Sequence, residues 1–175
     1  SGTAMAYIRG AEDLGAKVIL KSPVQKIELK KNKVFAVHTE KETFETPIAV
    51  IATGPWSSQF LSHLGISLPL TATRHEVFLI KRNDNLLSNH PSGADMSNMT
   101  YFRPEGNDMT LVGNGNREHI VDPENYNPKP SMDYLEDVWL RLSKRIPSIA
   151  EGEYFTGYAG LYTSTPDTHP ILDQI

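Results

Sequence analysis

The segment Gly157-Tyr-Ala-Gly-Leu-Tyr-Thr-Ser-Thr-Pro-Asp-Thr-His-Pro-Ile-Leu-Asp173 packs tyrosines, hydroxyls, carboxylates, prolines and a histidine close together near the end of the chain. On a strand, Tyr158, Gly160 and Tyr162 share one face, because side chains alternate with a period of two. A glycine between two aromatic residues on one face leaves a slot in which something flat could lie. The plain alternative is a tyrosine pair packed on a neighbouring strand. Thr163, Thr165 and Asp167 can bond local backbone groups, and Pro166 fixes a turn.

Three other groups of residues could carry chemistry. Ala49-Val-Ile-Ala-Thr-Gly-Pro-Trp56 reads as a buried strand ending in small residues. Gly54 lets a ligand approach the backbone, and the helix that follows offers free N–H groups to an anion. Tyr101-Phe-Arg103 places an arginine on a predicted strand, where it could clamp a carboxylate through two parallel hydrogen bonds. The alternative there is a surface arginine lying over aromatic rings. In Arg74-His75-Glu76, a histidine between opposite charges could shuttle a proton. Strand geometry points His75 away from both neighbours, so the triplet reads as an edge-strand charge pair and not as one site.

Several chemistries are set aside. The six histidines are scattered without HxH or HExxH spacing, so no metal is expected. There is no GxSxG elbow, P-loop or GxGxxG. Gly113-Asn-Gly115 lacks the third glycine and follows a hairpin strand.

Periodicity supplies the elements that must position these residues. Thr3 to Leu14 reads as a helix ended by Gly15, followed by a short strand over Lys17–Leu20. Val24–Leu29 and Val34–Thr39 read as a hairpin with a solvated lysine-rich tip, and Glu42–Glu45 as a further strand. Ile48–Ala52 is a continuous apolar run, as in a strand covered on both faces. Pro55 then opens a helix over Ser57–Leu64 that stops at Gly65. Leu70–Lys81 is a long strand, and Asn83–Gly93 a polar loop. Met99–Arg103 and Met109–Gly113 form a hairpin, and Asn114–Pro130 is a polar connection. Ser131 caps a helix over Met132–Arg145 that carries Leu135, Val138, Trp139 and Leu142 on one face. Glu153–Thr163 is the last strand.

Composition is that of a globular chain: 175 residues, 39% hydrophobic and 22% charged. A net charge of −4 argues against a nucleic-acid partner. The absence of cysteine removes disulfides and thiol chemistry. No apolar run is long enough to span a membrane, and a cytoplasmic location is expected. Ser1-Gly2 reads as a cloning remnant.

Taken in order, these segments resemble the D-amino-acid oxidase superfamily of flavoenzymes, in the branch of sarcosine oxidase, glycine oxidase and dye-linked proline dehydrogenase. Val50-Ile-Ala-Thr-Gly-Pro-Trp56 and Thr165-Pro-Asp-Thr-His-Pro-Ile171 carry the resemblance most specifically. It implies FAD as cofactor and a small amino acid or secondary amine as substrate. Val24 would contact the adenine end through its backbone. Ala52, Thr53 and Gly54 would line the cofactor near its ribose and pyrophosphate, with Trp56 beside them. Arg103, with Tyr101 next to it, would take the substrate carboxylate, and Tyr162 would wall the cavity. Related sarcosine oxidases often attach flavin through a cysteine two residues before that tyrosine. Gly160 stands here, so noncovalent FAD is implied. No catalytic side chain is singled out.

The resemblance implies an α+β fold: an antiparallel-rich mixed sheet with flanking helices, attached to part of an α/β FAD-binding domain. Residues 1–68 would be the partial FAD-binding domain, 69–165 the substrate-binding domain, and 166–175 the return towards the FAD-binding domain. The family's opening Rossmann unit and its closing glycine-rich segment have no counterpart here. The chain therefore reads as the middle half of an enzyme, inactive and poor at binding FAD alone. Edges left by missing strands could support association into oligomers. The rival reading is a non-catalytic binding or scaffold domain.

Overall fold

The computed structural model describes residues 2–83, 90–115 and 119–174. Parts of the two expected polar connections, 84–89 and 116–118, lie outside the described residues, as does Ser1 of the expected cloning remnant. The backbone divides into two compact units, Ser1–Ile51 and Ala52–Ile175.

The first unit holds helix α1 (Gly2–Asp13) and a three-stranded antiparallel sheet of β1 (Val24–Lys30), β2 (Lys33–Thr39) and β3 (Thr43–Glu45). The tight β1–β2 turn places both Lys31 and Asn32 at positive φ. The expected strands at Lys17–Leu20 and Ile48–Ala52 do not form. A strand exists only through a ladder partner, and no strand among the described residues pairs with either run. Ile48 and Val50 are instead exposed. Ile27 and Ala36 are the only buried hydrophobic residues described in this unit, and α1 buries none of its own.

The second unit is built on an antiparallel sheet. Its strands are β4 (Thr71–Lys81), β5 (Gly93–Asp95), β6 (Thr100–Glu105), β7 (Met109–Asn114) and β8 (Glu153–Ser164), in the order β5-β6-β7-β4-β8. Helix α2 (Ser57–Ser62) follows a 3-10 turn over Gly54–Trp56 opened by Pro55. It ends near Gly65, whose φ of 77° suits a residue without Cβ. Strand β5 falls just beyond the predicted loop and carries no alternating apolar pattern from which to be read.

Helix α3 (Met132–Arg145) covers one face of this sheet. Its Leu135, Val138 and Leu142 pack with Phe78, Ile80, Val112 and Ile149 as one core. Phe78 lies against Trp139 and meets Tyr134 edge-on. Ser131 starts α3 as expected, but its side chain makes no cap. The Glu76 carboxylate takes that role from β4, accepting the Ser131 backbone N–H at 2.6 Å and its hydroxyl at 3.3 Å. Glu76 is also paired with the buried Arg74. Arg74 donates in turn to the carbonyls of Asn127, at 2.8 Å, and Lys129. Both charges are thus neutralised and hydrogen-bonded, the condition for burying them.

Tyr134 closes one remaining gap. The β4–β7 ladder ends at Val77 opposite Gly113. Just beyond, the Tyr134 hydroxyl donates to the Glu76 carbonyl at 2.6 Å and accepts the Asn114 N–H at 2.8 Å. Burial pushes this phenol well above its ordinary pKa.

Candidate active site

The face of the sheet away from α3 carries the candidate residues. Strand register aligns them in three rows. In one, Tyr101, Gly113, Val77 and Tyr158 lie on successive strands β6, β7, β4 and β8. In the next, His75 sits opposite Gly160, and Thr73 opposite Tyr162 follows it. Period-2 alternation therefore places Tyr101, His75, Tyr158 and Tyr162 on one side.

Two glycines shape this surface in opposite ways. A Cβ on Gly113 would collide with the Tyr101 phenol, so the tyrosine ring lies flat over that glycine. A Cβ on Gly160 would meet nothing within 4 Å. Above Gly160 the surface is open, bordered by Tyr158 and Tyr162, which are both about half exposed. Tyr162 does not stand alone as a wall. Its ring stacks on His75, with centroids 3.9 Å apart and planes at 21°. The two rings meet diagonally across the ladder, His75 being opposite Gly160 and Tyr162 opposite Thr73.

Tyr101 is a partly buried phenol. Burial first, then the neighbouring Tyr162 and Tyr158, push its pKa from 10.0 to about 12. It remains a neutral hydrogen-bond donor across the physiological range.

Strand β8 also leads to the second group of candidates. Thr163, near its end, lies beside Gly54, whose Cβ direction points at Thr163 Oγ1 from 3.5 Å. Gly54 has a φ of 56°, which explains glycine at this position. Thr53 bonds Ser57 at 2.9 Å, and the Trp56 indole N–H donates to Glu124. The turn at Thr53–Trp56 and the aromatic strand, more than a hundred residues apart in sequence, are thus neighbours. Val24 lies in the other unit, exposed at the start of β1.

Arg103 lies on the same face as Tyr101 by strand alternation. Its guanidinium pairs at 2.7 Å with Glu105, two residues further along β6, and both side chains are substantially exposed. Beyond β8, Thr165 donates to the His169 carbonyl at 2.8 Å, and Asp167 accepts the His169 N–H at 3.2 Å. That bond, then one from Thr165, holds the Asp167 carboxyl below the usual range. This turn satisfies itself internally.

His75 lies in a different setting from the one expected. An edge-strand charge pair was the expectation, but β4 lies between β7 and β8 and is no edge. The Arg74–Glu76 pair does form, buried on the α3 side, and His75 points the other way into the aromatic group. The available signal was the alternation itself, which separates position 75 from 74 and 76. Among the described residues, no group of three or more acidic or histidine side chains could hold a metal ion, and no helix is long and apolar enough to cross a membrane.

Comparison with known proteins gives consistent matches. The family model described as FAD dependent oxidoreductase matches residues 2–175. Monomeric sarcosine oxidase of Arthrobacter sp. (strain TE1826) is 30% identical, over 96% of this chain and 45% of its own length. Glycine oxidase of Bacillus licheniformis is 26% identical, over 97% of this chain and 43% of its own. The crystal structure of L-proline dehydrogenase from P. horikoshii superposes with a TM-score of 0.86 at 22% identity, covering 99% of this chain and 46% of that one. The chain therefore spans just under half the length of each of these three proteins.

Proposed function

The chain belongs to the FAD dependent oxidoreductase family, and from that premise we propose that it is the substrate-facing part of an enzyme oxidising the C–N bond of a small amino acid or secondary amine. The observation that carries this reading is the open strip above Gly160, bordered by Tyr158, Tyr162 and His75, on the strand that ends beside Gly54. An uncovered aromatic-walled floor suits a flat ring, and a turn of small residues suits close approach by the rest of the cofactor. When bound, FAD supplies the hydride acceptor for the substrate carbon, and the resulting imine hydrolyses in water.

The chain's own residues bind and orient. Tyr162 and His75 form one wall. Tyr101, kept protonated, offers a hydroxyl to the substrate. Arg103 would take the carboxylate only on exchanging Glu105 for it. Ala52, Thr53, Gly54 and Trp56 line the cofactor, with Val24 at its adenine end. Gly160 has no side chain through which flavin could be attached, which supports noncovalent FAD. Residues 1–68 are assigned to the FAD-binding domain, 69–165 to the substrate domain and 166–175 to the return segment.

An amine screen tests the reading on the full-length flavoprotein containing this chain, with an artificial dye and with oxygen as acceptors. Turnover is expected with at least one small amino acid or N-methylated amino acid. Failure of every such substrate with both acceptors would contradict it.

A further inference from the structure

Residues 119–130, which lead into α3, are tied to the sheet at two places. The β4–β7 ladder ends at Val77, and β8 fills the other edge of β4 along its whole length. Residues 119–121 take the place that β7 leaves. The Arg74 N–H donates to the His119 carbonyl at 2.8 Å, the Val121 N–H donates to the Ala72 carbonyl at 3.0 Å, and Ile120 bridges to Thr73. Further on, the Pro128 carbonyl accepts the Ala159 N–H of β8 at 2.7 Å. Between these ties lies a turn held by Asp122. It accepts the Glu124 N–H on its carboxylate at 2.9 Å and the Asn125 N–H on its carbonyl at 3.1 Å. Glu124 is thus fixed at its backbone, and its carboxylate accepts the indole N–H of Trp56, 68 residues away in sequence.

The 3-10 turn over Gly54–Trp56 and helix α2 both start without a side-chain cap, and Trp56 is partly exposed. A bond from an indole N–H to a carboxylate is charge-assisted and directional, so it fixes where the ring and its turn lie. It adds little to the core, since Glu124 is exposed. We propose that Glu124 is a positioning residue for the cofactor, whose carboxylate registers Trp56 and the Thr53–Trp56 turn against the sheet that carries the aromatic strip. The inference rests on the functional reading above, which sets that turn against FAD.

The test uses the full-length flavoprotein. FAD retention is read as a dissociation constant by ultrafiltration, and the setting of the flavin from its visible circular dichroism. Glu124→Ala removes the acceptor, Glu124→Gln keeps one, and Trp56→Phe removes the donor while keeping an aromatic ring. Glu124→Ala should weaken FAD binding about tenfold, the loss expected of one charge-assisted hydrogen bond, and change the visible dichroism. Glu124→Gln should recover most of both, and apoprotein melting should hold in each Glu124 variant. In a Trp56→Phe background, Glu124→Ala should weaken binding no further. Glu124→Ala that holds FAD as tightly as wild type, loses it only together with apoprotein melting temperature, or loses it equally with and without the indole N–H would overturn the assignment of Glu124 alone. Wild type that holds no FAD would overturn the functional reading, and this inference with it.

Discussion

Tyr101 shows how a single residue's surroundings set its chemistry. Its ring lies over Gly113 because that position has no Cβ, and burial raises its pKa to about 12. The sign of the linked effect follows. An unfolded tyrosine releases its proton near 10, whereas the folded one holds it until about 12. The stabilisation is complete below the unfolded value and is lost as pH rises between the two. Chemical denaturation across that interval should show falling stability, to which Tyr134 also contributes, and Tyr101→Phe should make the fall shallower. An equally steep fall in the variant would mean that other groups cause it. Gly160 differs from Gly113 in that the space above it is open. The alternation of Tyr158, Gly160 and Tyr162 was readable from the sequence because a strand's period fixes which residues share a face. The stack of Tyr162 on His75 was not, because that pairing depends on which strand lies alongside.

At the scale of elements, the sheet and α3 are joined by a polar clasp as well as by the apolar core. Glu76 sits at the start of α3, where a carboxylate meets the free N–H groups of the helix, and it also neutralises Arg74. Glu76→Ala would leave Arg74 buried without its counter-charge, at a cost of about 3–5 kcal/mol. Thermal melts of the chain should show that loss. A joint Arg74→Met, Glu76→Leu replacement should recover most of it, since the costly state is a single charge left behind. A Glu76→Ala variant melting like wild type would contradict the clasp. The sequence disclosed α3 nearly residue for residue, because its apolar stripe is complete. It misled at Ile48–Ala52, because an apolar run shows that a segment seeks cover without showing what covers it. The sequence also marked Ser131 as a cap, though a more distant carboxylate does the capping.

For the whole molecule, the two units differ in how far they sustain themselves. Ala52–Ile175 has a continuous core, whereas Ser1–Ile51 buries little and exposes Tyr7, Leu14, Leu20 and Val50. The chain also spans just under half the length of the sarcosine oxidase and the proline dehydrogenase compared with it. Alone, it should bind FAD poorly. Titration of FAD into the chain should leave flavin fluorescence unchanged, and saturation at micromolar concentrations would contradict this. The central claim is that the open face above Gly160 takes the flat ring of the flavin where it meets the amine. Anaerobic mixing of the full-length flavoprotein with its best substrate, followed at the visible flavin band, tests it most directly when wild type is compared with Gly160→Val. The added side chain enters open space, so the melting temperature should hold while bleaching of the band slows at least tenfold, about 1.4 kcal/mol in the barrier. A stably folded Gly160→Val protein that holds FAD and bleaches as fast as wild type would contradict the account.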